Sequence, residues 1–522
     1  MDPQADISTS SHEHPKSDDA KRLVRGSSLL LIGRLVSKLG NFGAQVLIVR
    51  YLSQSTYGAF AYGLLVVAMI QSVITLGLDR AVVRFLAMFY EQKDYRRLFG
   101  TISMTVLVIL SLGLAAVLIL FGFQDLIARW VPDRQTLTLL LVLIFLAPVQ
   151  ALDEVLVGMF AVFSKPRAIF WRKHVLAPAL KLAVVIGLIL THSSVFFLAV
   201  GYLLASLVGV AIYGYQLFRV MRDRGLLENW SIKELVMPWR EVFSFSTPLL
   251  TSELVGVAIN TMNVVLLGHF WTTTSVAELR AVQPTAKLNE LVMASFATLF
   301  TPLASRLFAN GDKAGINHLY WRTTIWIAII SFPVFAVTFA LAQPITVLLY
   351  GQRYESSAPI LAMLSLGYYF NAALGFNGLT LKVIGRVRYL VFINLATVVV
   401  SLGASLLLVP RMGAMGAGIA MMISLIVFNV LKQAGLRQGT GVSLFEWQYF
   451  QIYLVIGLTA LGLMAVQLAT SAPVYVSLAL AVVATLIVFR WSGSKLDLHE
   501  MFPEAMRIPG MGFLVSGRRK VA

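Results

Sequence analysis

Residues 27 to 49 are an apolar run of Leu, Ile, Val, Phe, Ala, Gly and Ser, interrupted at Arg34, Lys38, Asn41 and Gln45. Gaps of 4, 3 and 4 residues put these four polar groups on one face of a helix. Runs of this length recur along the chain, at 57–79, 99–122, 137–162, 175–192, 194–218, 242–269, 275–302, 323–349, 358–381, 389–409, 413–431, 447–468 and 473–489. Most match or exceed the roughly 20 residues that cross a hydrocarbon core. The pattern predicts an all-α polytopic membrane protein of about 14 transmembrane helices, numbered here in chain order.

The polar interruptions are as informative as the runs. Helix 8 carries Arg280, Gln283, Lys287 and Glu290 at gaps of 3, 4 and 3, again one face, and helix 7 carries Glu253, Asn260 and Asn263. A charge at the bilayer centre costs about 3 to 15 kcal/mol, so a cationic stripe calls for a wet cavity or a partner. The plainer reading of Arg34 and Arg280 is snorkelling to the headgroups, which suits Lys38 less because it lies about 6 Å deeper at about 1.5 Å per residue. Lys287 and Glu290, three residues apart, could instead neutralise each other on their own helix. For Asp153 and Glu154 in helix 4 and Lys181 in helix 5, an ion pair between neighbouring helices is the first expectation.

Composition agrees with the membrane reading: 58% of residues are hydrophobic, 13% are charged, and mean hydropathy is +0.79. The absence of cysteine excludes disulfides and thiolate chemistry. A net charge of +17 would point to nucleic acid in a soluble protein, but here the loops explain it. With the N-terminus inside, 32 of the 42 Lys and Arg fall on the cytoplasmic side and five (Arg50, Arg129, Arg134, Arg353, Arg411) on the other. That asymmetry predicts both termini in the cytoplasm of a multi-pass protein; the expected location is the bacterial inner membrane. Residues 1–26 are polar, lack the apolar stretch of a cleavable signal peptide, and read as a disordered cytoplasmic tail. Their His12-Glu13-His14 triplet is not taken as a metal site, and no metal or cofactor motif stands elsewhere.

Punctuation repeats at a fixed distance. Arg84-Phe85-Leu86-Ala87 is matched by Arg306-Leu307-Phe308-Ala309 222 residues later, and Lys165-Pro166-Arg167 by Ile384-Gly385-Arg386 at 219. This predicts a duplication: an N-lobe at 27–218 and a C-lobe at 241–432, each of six helices, joined by a cytoplasmic linker at 219–240. An even number of helices per repeat relates the lobes by a pseudo-twofold axis along the membrane normal. Residues 433–490 add helices 13 and 14 with their preceding loop, and 491–522 form a second cytoplasmic tail.

Four stretches carry a family resemblance. Arg50-Tyr51-Leu52-Ser53-Gln54-Ser55-Thr56-Tyr57-Gly58-Ala59-Phe60, followed by Gly77-Leu78-Asp79-Arg80-Ala81-Val82-Val83-Arg84-Phe85, resembles the first hairpin of the polysaccharide transporter family. These are the Wzx-like flippases of the multidrug/oligosaccharidyl-lipid/polysaccharide exporter superfamily. Tyr350-Gly351-Gln352-Arg353-Tyr354 and Gly413-Ala414-Met415-Gly416-Ala417-Gly418-Ile419-Ala420 resemble its turns before the tenth and twelfth helices. The resemblance implies two six-helix lobes in a V, a cavity lined by helices 1, 2, 7 and 8, and flipping of a lipid-linked saccharide.

The seam charges select among substrates. Arg34, Lys38, Arg280 and Lys287, with Asn41, Gln45 and Gln283, suit a diphosphate or an acidic sugar and would repel a cationic drug. Glu253 and Glu290, the carboxylates near mid-membrane in the central helices, are the expected carriers of a coupling H⁺ or Na⁺, with the transmembrane gradient in place of a cofactor. Asp153, Glu154, Lys181, Asn260 and Asn263 are secondary candidates. The expected partners are the lipid-linked glycan, membrane lipids, and a polysaccharide polymerase with glycosyltransferases. The alternatives are a multidrug antiporter of the same superfamily and a membrane-embedded glycan polymerase. Against the polymerase stands the lack of a large external loop with paired carboxylates, and a structural scaffold explains neither the seams nor the repeat.

Overall fold

The computed structural model describes residues 17–163, 170–229, 234–441, 446–470 and 472–493, and every regular element among them is helical. Helix 1 is Ser17–Tyr51, helix 2 is Gln54–Thr75 continued by Leu78–Glu91, helix 3 is Tyr95–Gly122, and helix 4 is Arg134–Leu143 with Leu146–Val162. Helix 5 is Phe170–Leu176 with Ala177–Leu190, helix 6 is Val195–Asp223, and helix 7 is Trp239–Phe270. Helix 8 is Thr273–Lys287, Leu288–Glu290 and Leu291–Ala309, and helix 9 is Lys313–Phe335, Ala336–Ala340 and Ala342–Tyr350. Helix 10 is Ala358–Ala373 with Asn377–Val383, helices 11 and 12 together are Val387–Thr440, helix 13 is Trp447–Thr470, and helix 14 is Val474–Gly493.

The 54 residues of Val387–Thr440 would reach about 80 Å as one rod, far more than the ~30 Å core. Gly413, at φ 57° and ψ −132°, turns the chain and makes two helices of them. By length and apolarity alone, 10 helices among the described residues qualify as spans, and 11 do if Thr273–Ala297 and Phe300–Ala309 of helix 8, bent by 50°, count as one. Each of the spans expected from the sequence coincides with a helix or a broken helix. Residues 17–26 already belong to helix 1, ahead of the start expected at 27, since they hold helix formers and no proline to stop it.

Start signals in the sequence fix several helices. Ser53 accepts the backbone N–H of Thr56 at 3.2 Å, Asp133 that of Thr136 at 2.7 Å, and Asp312 that of Gly315 at 2.7 Å. The breaks are equally local. Leu76 and Gly77 take positive φ of 50° and 70° between the two parts of helix 2, and Pro284 sits inside helix 8 just before its 3₁₀ turn. Breaks thus fall in helices 2 and 4 and again in helices 8 and 10, while helices 5 and 9 each change to a π-helical stretch and helix 9 is interrupted at Leu341.

Helix 2 packs on helix 8 backbone to backbone: a Cβ on Gly58 would lie 1.8 Å from the carbonyl oxygen of Thr273. Helix 1 lies along helix 5, where a Cβ on Gly33 would meet His174 at 2.9 Å and one on Gly40 would meet Pro178 at 3.6 Å. Helix 13 rests on helices 9 and 10, with the Tyr449 ring stacked on Trp321 at 6.0 Å and the Tyr453 hydroxyl donating to the Ala373 carbonyl at 2.6 Å.

A polar cavity between helices 1 and 8

One end of the bundle is shut. At the end away from the basic loops, Arg50 at the close of helix 1 donates to the carbonyls of Leu348 and, at 2.9 Å, of Leu349 in the last turn of helix 9. Arg353, just after helix 9, returns the contact by donating to the carbonyls of Val49 and Arg50, the latter at 2.7 Å. Each guanidinium so satisfies the free carbonyls, and the negative dipole end, of the other's helix. Gln54 adds a bond to the Arg353 carbonyl at 2.6 Å, Thr273 donates to Asp133 at 3.3 Å, and Trp130 stacks on His269 at 5.3 Å.

Below this clasp the predicted stripe opens into a cavity of about 420 Å³, lined by Lys38, Asn41 and Gln45 of helix 1 and by Pro284, Lys287 and Glu290 of helix 8. The structure therefore brings together five of the residues singled out from the sequence. Helix 8 achieves this through its break: in the 3₁₀ turn Leu288–Glu290, residues three apart eclipse each other, which suits Lys287 and Glu290 facing one space. Gln45 closes the roof, donating to the Tyr57 hydroxyl and to the Arg280 carbonyl, both at 3.1 Å.

The other predicted residues divide. Arg34 is exposed one turn nearer the basic loops and is not among the lining residues. Arg280 does not snorkel: it turns inward and donates to Gln283, leaving its Nε buried without a partner. Gln283, 5% exposed, passes the contact on to the Tyr368 hydroxyl at 3.3 Å, so it supports Arg280 rather than the cavity wall. Among the described residues no carboxylate pairs with Arg34, Lys38, Arg280 or Lys287. The Lys287–Glu290 pair allowed by sequence spacing is thus not made.

Glu290 is held from elsewhere, by a chain that sequence reading missed. Asn371 in helix 10 donates to its Oε1 at 2.6 Å, Asn429 in helix 12 donates to Asn371 at 2.8 Å, and Asn377 donates to Asn429 at 3.1 Å. These amides line or adjoin a second cavity of about 490 Å³ in the C-terminal half, which shares Lys287 and Glu290 with the first. Asparagine inside an apolar helix was the available signal. Lys432, just beyond the span expected at 413–431, also lines this space, because helix 12 runs on past it to Thr440.

In the N-terminal half Asp153 does form an inter-helix ion pair, with Arg172 instead of Lys181. Arg172, just before the span expected at 175–192, is 3% exposed in helix 5 and also donates to the Gly209 carbonyl at 2.9 Å. Lys181 lies over the Tyr202 ring at 5.6 Å. Asp153, Glu154 and Lys181 line a pocket of about 240 Å³ that shares no residue with the central cavity. Asn263 is fully buried and accepts from Ser405, joining helix 7 to helix 11 away from the cavity. Glu253 and Asn260 lie on helix 7, but their side chains fall outside the described residues.

A family model described as "Polysaccharide biosynthesis protein" matches residues 47–359. An uncharacterized membrane protein of Methanocaldococcus jannaschii, MJ1068, is 26% identical over 230 residues, which take in 42% of this chain and 43% of that protein, less than half its length. Among solved structures, the lipid II flippase MurJ in an inward closed conformation superposes with a TM-score of 0.68 at 14% identity, over 93% of this chain and 100% of that one. The inward-facing conformation of a multidrug resistance MATE family transporter of the MOP superfamily gives 0.65 at 15% identity, over 79% and 98%. An outward-facing conformation of a transporter of that family gives 0.53 at 16% identity, over 82% and 96%. At such identities these likenesses establish the fold.

Proposed function

The chain belongs to the polysaccharide biosynthesis protein family, and from that premise we propose that it is a flippase. It moves a lipid-linked oligosaccharide or polysaccharide precursor, borne on a polyprenyl diphosphate, across the bacterial inner membrane by ion-coupled alternating access. The observation that carries this reading is the cavity between helices 1 and 8, where Lys38 and Lys287 face one space with no carboxylate paired to either among the described residues. Desolvating a diphosphate is tolerable when several cations replace its water at once. A cationic drug gains nothing there, which disfavours the antiporter reading.

In this proposal residues 27–218 and 241–432 are two six-helix lobes, joined through 219–240, that rock about the bound headgroup. The breaks in helices 2 and 4 have counterparts in helices 8 and 10, which supports the duplication, while the break in helix 9 has none in helix 3. The basic loops face the cytoplasm together with both termini, so the clasped end faces outward and the cavity awaits substrate from the inner leaflet. The headgroup meets Arg34 first, then Lys38 and Lys287, then Arg280 on the way out. Glu290, or Glu253, carries the coupling ion, and glycosyltransferases and a polymerase act before and after transport.

The test is transport of a polyprenyl-diphosphate glycan by the full chain in proteoliposomes under an imposed ion gradient. Lys38→Ala and Lys287→Ala should each lower transport more than about 30-fold at normal protein level, since a desolvated diphosphate left with half of its cations is penalised by about 2–5 kcal/mol. Normal transport by both would reject the reading. The variant carrying Glu253→Gln and Glu290→Gln together should lose its response to the gradient, and an unchanged response would remove both carboxylates from coupling.

A further inference from the structure

Resting on the flippase reading, we propose that the cavity in the C-terminal half is a compartment for the lipid-proximal sugar, and that Lys382 and Lys432 select a sugar bearing an anionic group. The cavity, about 490 Å³, opens from the central one through Lys287 and Glu290, which line both. A headgroup on Lys38 and Lys287 therefore has its first sugar at the mouth of this branch.

The lining has the chemistry of sugar recognition. Asn394, half-buried, offers an amide that both donates and accepts, the Asn371 and Asn377 amides being taken up by the chain to Glu290, and the half-buried Phe428 ring adds apolar surface. The balance of charge adds the selectivity. Glu290 is the one carboxylate on this lining, and it is engaged at 2.6 Å by Asn371, the head of a chain whose amides all donate towards it. Neither Lys382 nor Lys432 has a carboxylate within ion-pair distance among the described residues. Lys432 sits half-buried with its ammonium 3.4 Å from the centroid of the Phe428 ring. A ring face offsets only part of the cost of keeping an ammonium out of bulk water, so the site is completed by an anion. The diphosphate is already matched to Lys38 and Lys287, so the remaining anion is a carboxylate or phosphate on the sugar itself.

The experiment measures binding of three short-chain polyprenyl diphosphates to the detergent-solubilised full chain: one carrying glucuronic acid, one glucose, one no sugar. The wild type should prefer the glucuronyl over the glucosyl lipid about tenfold. The variant with Lys382→Gln and Lys432→Gln should lose that preference and bind the glucosyl and sugarless lipids as the wild type does, while Lys432→Arg should retain it. Equal weakening towards all three lipids would assign the two lysines to the diphosphate or to the fold, and overturn the proposal. So would a wild type with no preference for the acid. Failure of the wild type to bind even the glucosyl and sugarless lipids would instead reject the flippase reading beneath it.

Discussion

The two ends of the space between helices 1 and 8 hold cations in opposite circumstances. At the shut end, Arg50 and Arg353 are spent on backbone carbonyls of each other's helices. At the open end, Lys38 and Lys287 line a cavity without a carboxylate paired to either among the described residues. A guanidinium suits the first task because its fork reaches two adjacent carbonyls at a helix terminus. An ammonium on a flexible stem suits the second, where the partner must come and go. The difference separates charges that hold a conformation from charges that await a ligand, and proximity to the cavity tells them apart better than charge or depth.

The sharpest way to break this comparison is at Gly58. An added Cβ would stand 1.8 Å from the Thr273 carbonyl and 3.2 Å from the Ala277 nitrogen, with no flexible side chain to yield. Gly58→Ala should force helices 2 and 8 apart and open the shut end. With Asn41→Cys as the single cysteine, labelling by a membrane-impermeant maleimide from the clasped side should accelerate at least about tenfold, a shift of ~1.4 kcal/mol. Unchanged labelling would mean that this contact does not close the molecule. Arg50→Ala or Arg353→Ala should act in the same direction but less, about three- to tenfold, because each removes hydrogen bonds worth about 0.5–1.5 kcal/mol at an exposed site. The smallest effect tests the other limb. Asn263→Ala should lower stability by about 0.6 kcal/mol, as interhelical bonds in membranes do, and leave transport unchanged. A transport defect at normal protein level would place helix 7 polarity in the mechanism after all.

Much of this was legible in the sequence, for reasons that also mark its limits. The cavity was readable because both of its walls are single helices whose polar residues keep helical spacing, so Lys38, Asn41, Gln45, Lys287 and Glu290 declare one face each. The clasp was not, because Arg50 and Arg353 bind backbone carbonyls, which no side-chain pattern encodes. Arg172 and Lys432 were not legible for one reason: both lie just outside the apolar runs at 175–192 and 413–431, where a basic residue reads as a loop charge, whereas helices 5 and 12 extend to include them. The asparagine chain on Glu290 joins residues 81, 58 and 52 positions apart, a pairing that only the fold creates.

The central claim is that the anionic headgroup rides between helices 1 and 8, and a structure of the full chain with a polyprenyl diphosphate bound tests it most directly. The account predicts the two phosphates within hydrogen-bond reach of the Lys38 and Lys287 ammonium groups, beneath Gln45, with the lipid tail leaving towards the bilayer. A headgroup resting on the outer faces of helices 13 and 14, or one held by the N-terminal pocket around Asp153 and Arg172 with the central cavity empty, would contradict it.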